Sequence, residues 1–182
     1  MIFFSRNSNA CRNTVLDICI AAEMTVGARL AEQGIKLIRN SGPIGNFTYI
    51  AVRRTRNLLF VSGQLPRVEI DGKLDLIVGQ VGRDISLESA QKAARLCGVS
   101  ILSVLADAIG DLNKVKAVVK VEGFVNCVPT FTDHPLVMNG CSDLFLEVFG
   151  HEIGSHARAA VGCSSLPKGV PVEVAAIFEV HD

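Results

Sequence analysis

Apolar residues return at intervals of three and four between Leu87 and Ile109, through Ala90, Ala94, Cys97, Ile101 and Leu105. That period lays one apolar stripe along a helix packed on a sheet. Ser86 in front of it is a natural N-cap, Glu88 places an acid where the helix dipole favours one, and Gly110 suits a left-handed cap. A second helix is predicted over Asn139–Phe149, with Leu144, Phe145 and Val148 inward and Gly150 and Gly154 releasing the chain. Residues 26–38 predict a short helix or irregular lead-in. Strand patterns occupy the rest. Asn46–Val52 and Asn57–Ser62 are β-branched and aromatic runs separated by a short basic turn, the sequence form of a hairpin. Asp71-Gly72 marks a tight turn before Leu74–Val78, and Val115–Val128 is a run of valines with Lys116, Lys120 and Glu122 interleaved. From His156 to Val180 the pattern predicts two short apolar strands joined by a Ser164–Gly169 turn. The order β-β-α-β-α-β-β predicts an α+β mixed sheet with helices on one face.

Composition narrows the possibilities. The 182 residues suit one domain, here 24–182, preceded by an extension over 1–23 expected to be disordered or loosely helical. That extension holds Arg6, Arg12, Ser5 and Ser8 with no acid before Asp17, mildly like an organellar transit peptide. The expected location is cytoplasmic, or an organellar matrix if 1–23 is such a peptide. A formal net charge of zero argues against a nucleic-acid surface. No apolar run approaches the roughly 20 residues of a spanning helix, so no membrane is expected. A positive mean hydropathy of +0.37 points instead to surface buried between subunits. The six cysteines never fall at Cys-x-x-Cys spacing and the four histidines are scattered, so neither a metal nor a redox pair is expected. No cofactor is implied.

Two charges in the last 25 residues stand out. Arg158 lies among Ala157, Ala159 and Ala160, side chains too short to cover a guanidinium, which leaves its planar fork open to a carboxylate. Glu173 sits between Val172 and Val174, where desolvation raises a carboxylate toward the range of a proton shuttle. A mutual ion pair or plain solvation explains the same two residues on sequence alone. The stretch resembles the C-terminal motif of the RidA/YjgF family of reactive imine and enamine deaminases. Its elements are Ala157-Arg158, Leu166-Pro167 and Val172-Glu173-Val174, and Leu59-Phe-Val-Ser-Gly-Gln-Leu-Pro66 is similar to a second family segment.

That resemblance spans roughly Tyr49 to Val180. It implies a chorismate-mutase-like fold assembled as a homotrimer with clefts between subunits, and hydrolysis of 2-imino or enamino acids to 2-keto acids and ammonia. It implies that Glu173 is catalytic and that Arg158 binds the substrate carboxylate, with Ser62, Gly63, Tyr49 and Asn126 lining the cleft. The alternatives are a non-catalytic module of the same fold that binds a small carboxylate or a protein, and, more weakly, a ribonuclease. Two departures are noted. Ala160 stands where deaminases of the family carry a cysteine, and Thr132–Asn139 looks like a longer loop.

Overall fold

The computed structural model describes residues 24–38, 48–70 and 72–182. The elements are α1 (Val26–Glu32), β1 (Val52–Thr55), β2 (Leu58–Gln64), β3 (Arg67–Ile70), β4 (Lys73–Leu76), α2 (Leu87–Ile109), β5 (Val115–Asn126), α3 (His134–Gly154), β6 (Ala157–Cys163) and β7 (Val172–Val180). A five-stranded sheet runs in the order β1-β2-β7-β5-β6, and β3 with β4 forms a separate hairpin. This is the expected α+β arrangement. The 1–23 extension lies outside the described residues, as do Asn46 and Phe47. Among the described residues no helix is long and apolar enough to cross a membrane.

Helix α2 follows its period. Ser86 accepts a hydrogen bond from the Ser89 N–H, Gly110 takes φ 78°, and the stripe from Ala90 through Leu105 is fully buried. Strand β7 supplies the opposite wall by strict alternation. Val172, Val174, Ala176, Phe178 and Val180 turn under the helices, while Glu173, Ala175, Ile177 and Glu179 face the other way. Phe178 meets Phe145 of α3 edge-on at 5.6 Å between ring centroids. Each fully buried side chain of this size contributes about 1.5–3 kcal/mol, so the helix-facing side holds the fold together. The other side of the sheet has no helix layer. Phe60, Phe124 and Val161 remain 40%, 37% and 49% exposed there.

Several boundaries differ from the sequence expectation. The first hairpin turns at Arg56-Asn57, with Arg56 at φ 52°, so Val52–Thr55 rather than 46–52 pairs with Leu58–Val61. Arg53 and Arg54 therefore belong to the strand, because a two-residue turn needs only the positive φ that Arg56 supplies. Strand β3 pairs with β4 from Ile70 opposite Lys73, with Gly72 at φ 74° between them and Asp71 outside the described residues, and Arg67–Ile70 is a strand that its mixed polarity concealed. Helix α3 starts at His134, five residues before the expected Asn139. Pro135 sits in its first turn, where a missing N–H costs nothing, so the segment expected to be a longer loop is helix from His134 onward. Strand β5 ends at Asn126 rather than Val128.

The largest correction concerns the C-terminal strands. They are not a hairpin: β5 lies between them, antiparallel to β7 and parallel to β6. Helix α3 carries the chain from β5 back to β6, the crossover that parallel neighbours require. Strand β6 is thus an edge of the sheet.

Candidate functional site

Register along β5 decides where the two charges go. Arg158 lies opposite Val121, and Glu173 lies opposite Phe124. The offset of three residues puts them on opposite faces of the sheet, two strands apart, with Cα atoms separated by roughly 14 Å. Within one chain the guanidinium and the carboxylate do not meet.

Glu173 shares the helix-free face with Gly63 of β2. The register of β2 against β7 shifts between Val61 and Gln64, and this irregularity brings the Gly63 backbone under the Glu173 side chain. A Cβ on Gly63 would stand 1.9 Å from Glu173 Oε1, so any side chain there would displace the carboxylate. Burial pushes the Glu173 carboxyl above the usual carboxylate range. No described residue donates a hydrogen bond or pairs an ion with it, so nothing opposes that rise. Such a group holds its proton more readily than an ordinary carboxylate and is chemically poised.

Arg158 turns to the helix side. Nη1 donates to Asn139 Oδ1 at 3.0 Å and to Ser142 Oγ at 2.9 Å, and Nη2 donates to the Pro135 carbonyl at 3.1 Å. These bonds use three of a guanidinium's five N–H donors. Among the described residues, Nε–H and one Nη2–H remain for a ligand. Ser142 is itself held by His156, whose Nε2 lies 2.9 Å from Ser142 Oγ and whose Nδ1 lies 2.6 Å from the Gly154 carbonyl. A carbonyl only accepts, so Nδ1 carries a proton and donates to it. Sequence reasoning left out Asn139 and Ser142. Their i, i+3 spacing puts both on one helix face, but only the register of β6 shows that this face meets Arg158.

The remaining candidates scatter. The Ser62 hydroxyl donates to the Ile50 carbonyl at 2.9 Å and its N–H bonds the Ala51 carbonyl, so Ser62 ties the segment before β1 to β2, next to Gly63. Tyr49 is 48% exposed in that same segment and within electrostatic reach of the buried Arg67, whose pKa desolvation depresses. Asn126 is buried. Its Nδ2 donates to the carbonyls of Val170 at 3.2 Å and Gly79 at 3.5 Å, and its Oδ1 accepts from Gln80 at 3.4 Å. It binds two loops to the end of β5. The structure therefore sets Gly63 under Glu173 with Ser62 and the Tyr49 segment beside it, puts Asn126 on the same face two residues along β5 from the partner of Glu173, and holds Arg158 on the opposite face. Among the described residues no three His, Cys, Asp or Glu side chains converge as metal ligands.

Known proteins share this architecture. The chain is similar to protein TCP17 of Trypanosoma cruzi, at 42% identity over 163 residues covering 90% of this chain and 99% of that one. It is similar to the crystal structure of Atu1372 of Agrobacterium tumefaciens, a protein of unknown function (43% identity, TM-score 0.75, 87% of this chain and 94% of that). The fold alone is shared with E. coli TdcF with bound serine (23% identity, TM-score 0.50, 81% of this chain and 99% of that). A family model described as "YjgF/chorismate_mutase-like, putative endoribonuclease" matches residues 27–175, which contain both β2 and the Arg158–Glu173 region. The chain belongs to the YjgF/chorismate mutase-like family.

Proposed function

We propose that the protein hydrolyses small carboxylate-bearing imines and enamines to 2-keto acids and ammonia, without a cofactor, in clefts formed between copies of the chain. One observation carries the reading: Glu173 is a desolvated carboxylate with no donor among the described residues, over a glycine that leaves space beside it. A second copy must complete the site, since Arg158 and Glu173 occupy opposite faces of one sheet. The exposed Phe60, Phe124 and Val161 give the Glu173 face an apolar reason to be covered. Arg158, on an edge strand and exposed, is placed to reach a neighbour. A homotrimer is the assembly this family membership suggests.

The chemistry asks little of the protein. Arg158 holds the substrate carboxylate with its two remaining donors, which restricts the imine carbon to one orientation. Glu173 takes a proton from water as the oxygen attacks that carbon and delivers it to the nitrogen. The carbinolamine then loses ammonia, and the carbonyl oxygen of the keto acid comes from the water. An enamine enters after protonation at carbon. The Gly63 backbone and the Ser62 segment line the approach. A non-catalytic carboxylate receptor is the second reading, favoured by the serine bound to the fold neighbour TdcF. Net charge of zero speaks against the ribonuclease reading. Freshly generated 2-iminopropanoate separates the first two: turnover above the buffer rate supports the enzyme, and binding without turnover supports the receptor.

A further inference from the structure

A second chemistry-bearing cluster lies away from Glu173, where the end of β5 meets the start of α3. Cys127 and His134 face each other there, with Cys127 Sγ 3.4 Å from His134 Nε2, within thiol–imidazole hydrogen-bond reach. The ring of Phe131 packs edge-on against the imidazole, with centroids 5.3 Å apart and planes at 90°, which fixes its orientation. Gln80 donates to the Cys127 carbonyl at 3.2 Å and so anchors the backbone that carries the thiol. The pair stands directly over Gly162 of β6. A Cβ there would come within 2.5 Å of His134 Nε2 and 3.0 Å of Cys127 Sγ, so the edge strand gives up a side chain where thiol and imidazole meet.

The pair opens into a cavity of about 460 Å³, within the size range of small-ligand sites. Val128, Pro129 and Phe131 supply an apolar wall, Gln80 an amide, Ser164 and Cys163 further uncharged polar groups, and among the described residues no Asp, Glu, Lys or Arg lines the space. An uncharged ligand suits that lining better than a carboxylate. Burial pushes the Cys127 thiol up, so an isolated thiol in this place would be inert. An imidazole at hydrogen-bond distance removes that obstacle by accepting the proton during attack.

We propose that Cys127 is a nucleophilic modification site, with His134 as its base, for small uncharged α,β-unsaturated carbonyl compounds. In the step, the thiol proton passes to His134 Nε2 as sulfur bonds to the β-carbon. The electron pair of the carbon–carbon double bond moves to the carbonyl as an enolate, and the α-carbon recovers the proton from His134. The S–H and π bonds break, the C–S and C–H bonds form, and no oxidant or leaving group is needed. The step uses neither Glu173 nor Arg158 and so stands apart from the deaminase reading, although Cys163 on the cavity wall lies within electrostatic reach of Glu173.

The test is limited alkylation of the native protein with N-ethylmaleimide, with each cysteine peptide quantified by mass spectrometry over time. Expected is labelling of Cys127 ahead of the half-buried Cys163, with Cys97 and Cys141, both fully buried, unlabelled until unfolding. His134→Gln should slow Cys127 by tenfold or more while leaving the fully buried Cys97 and Cys141 unlabelled, which also reports that the variant is folded. Gly162→Ala, which keeps both groups and forces them apart, should slow Cys127 in the same way and provides the second arm should His134→Gln fail to fold. Labelling of Cys163 with Cys127 protected until denaturation would overturn the proposal, as would Cys127 rates indifferent to both substitutions.

Discussion

A single methyl group at Gly63 separates a positioned carboxylate from a bystander. In Gly63→Ala the new Cβ would lie 1.9 Å from Glu173 Oε1, 2.8 Å from Cδ and 3.1 Å from Cγ. Non-bonded carbon contacts settle near 3.5 Å, so the carboxylate must move by about 1.5 Å. Overpacking costs about 1–3 kcal/mol where the surroundings are rigid, and the low end applies because the yielding group is the tip of a half-buried side chain. Misplacing a reacting group by about 1 Å costs on the order of 100-fold in rate. Expected, then, is a melting temperature close to that of the parent protein together with a roughly 100-fold loss of 2-iminopropanoate hydrolysis. The loss should fall on kcat more than KM, since Arg158 is untouched. The displaced carboxyl should also shed part of its desolvation, shifting its kinetic pKa down toward the ordinary carboxylate value. The assay follows keto acid and ammonia from imine generated in situ, across pH, with thermal melts in parallel. A folded Gly63→Ala protein with parental rate and an unmoved pH profile would refute the reasoning, for the carboxylate would then play no part in the chemistry.

Glu173→Gln removes a group whose folded pKa is raised. Its favourable contribution to stability is present below the unfolded carboxylate pKa and is lost as pH rises through the folded one, so the variant should melt higher than the parent at pH 8 and not at pH 4. Calorimetry at the two pH values checks the sign. Asn126→Ala strips the Val170 and Gly79 carbonyls and the Gln80 amide of a partner, and denaturant titration should show a loss of about 2–3 kcal/mol. Arg158→Lys keeps the charge and loses the fork, so KM for the imino acid should rise about tenfold or more with a smaller effect on kcat. Ser142→Ala, which removes only one support of Arg158, should show a weaker KM effect of the same kind, read in the same assay.

Much of the fold was legible because its strongest signals are periodic. The α2 stripe and the alternation of β7 follow from burial on one side, and the structure keeps both. The N-terminal end of α3 was hidden because Asp-His-Pro looks like a loop until Pro135 is recognised as a first-turn residue. The topology of β6 and β7 was not legible at all. Two apolar strands joined by a turn look alike whether they pair with each other or flank a third, and only β5 between them settles it. That one fact redirects the site. Local sequence marks Arg158 and Glu173 as unusual charges, but face is a matter of register, and a three-residue offset along β5 sends them to opposite sides. For the same reason the partners of Arg158, namely Asn139, Ser142 and, through it, His156, carried no readable signal.

The central claim is that arginine and carboxylate meet only across copies of the chain. Arg158→Ala and Glu173→Ala proteins, each inactive alone, would be mixed in equal amounts, allowed to exchange subunits, and assayed with 2-iminopropanoate. If each site draws one group from each of two neighbours, about a quarter of the sites in a random mixture are intact, and activity should return to about a quarter of the parental value. A mixture with verified exchange and no more activity than its parents would contradict the account.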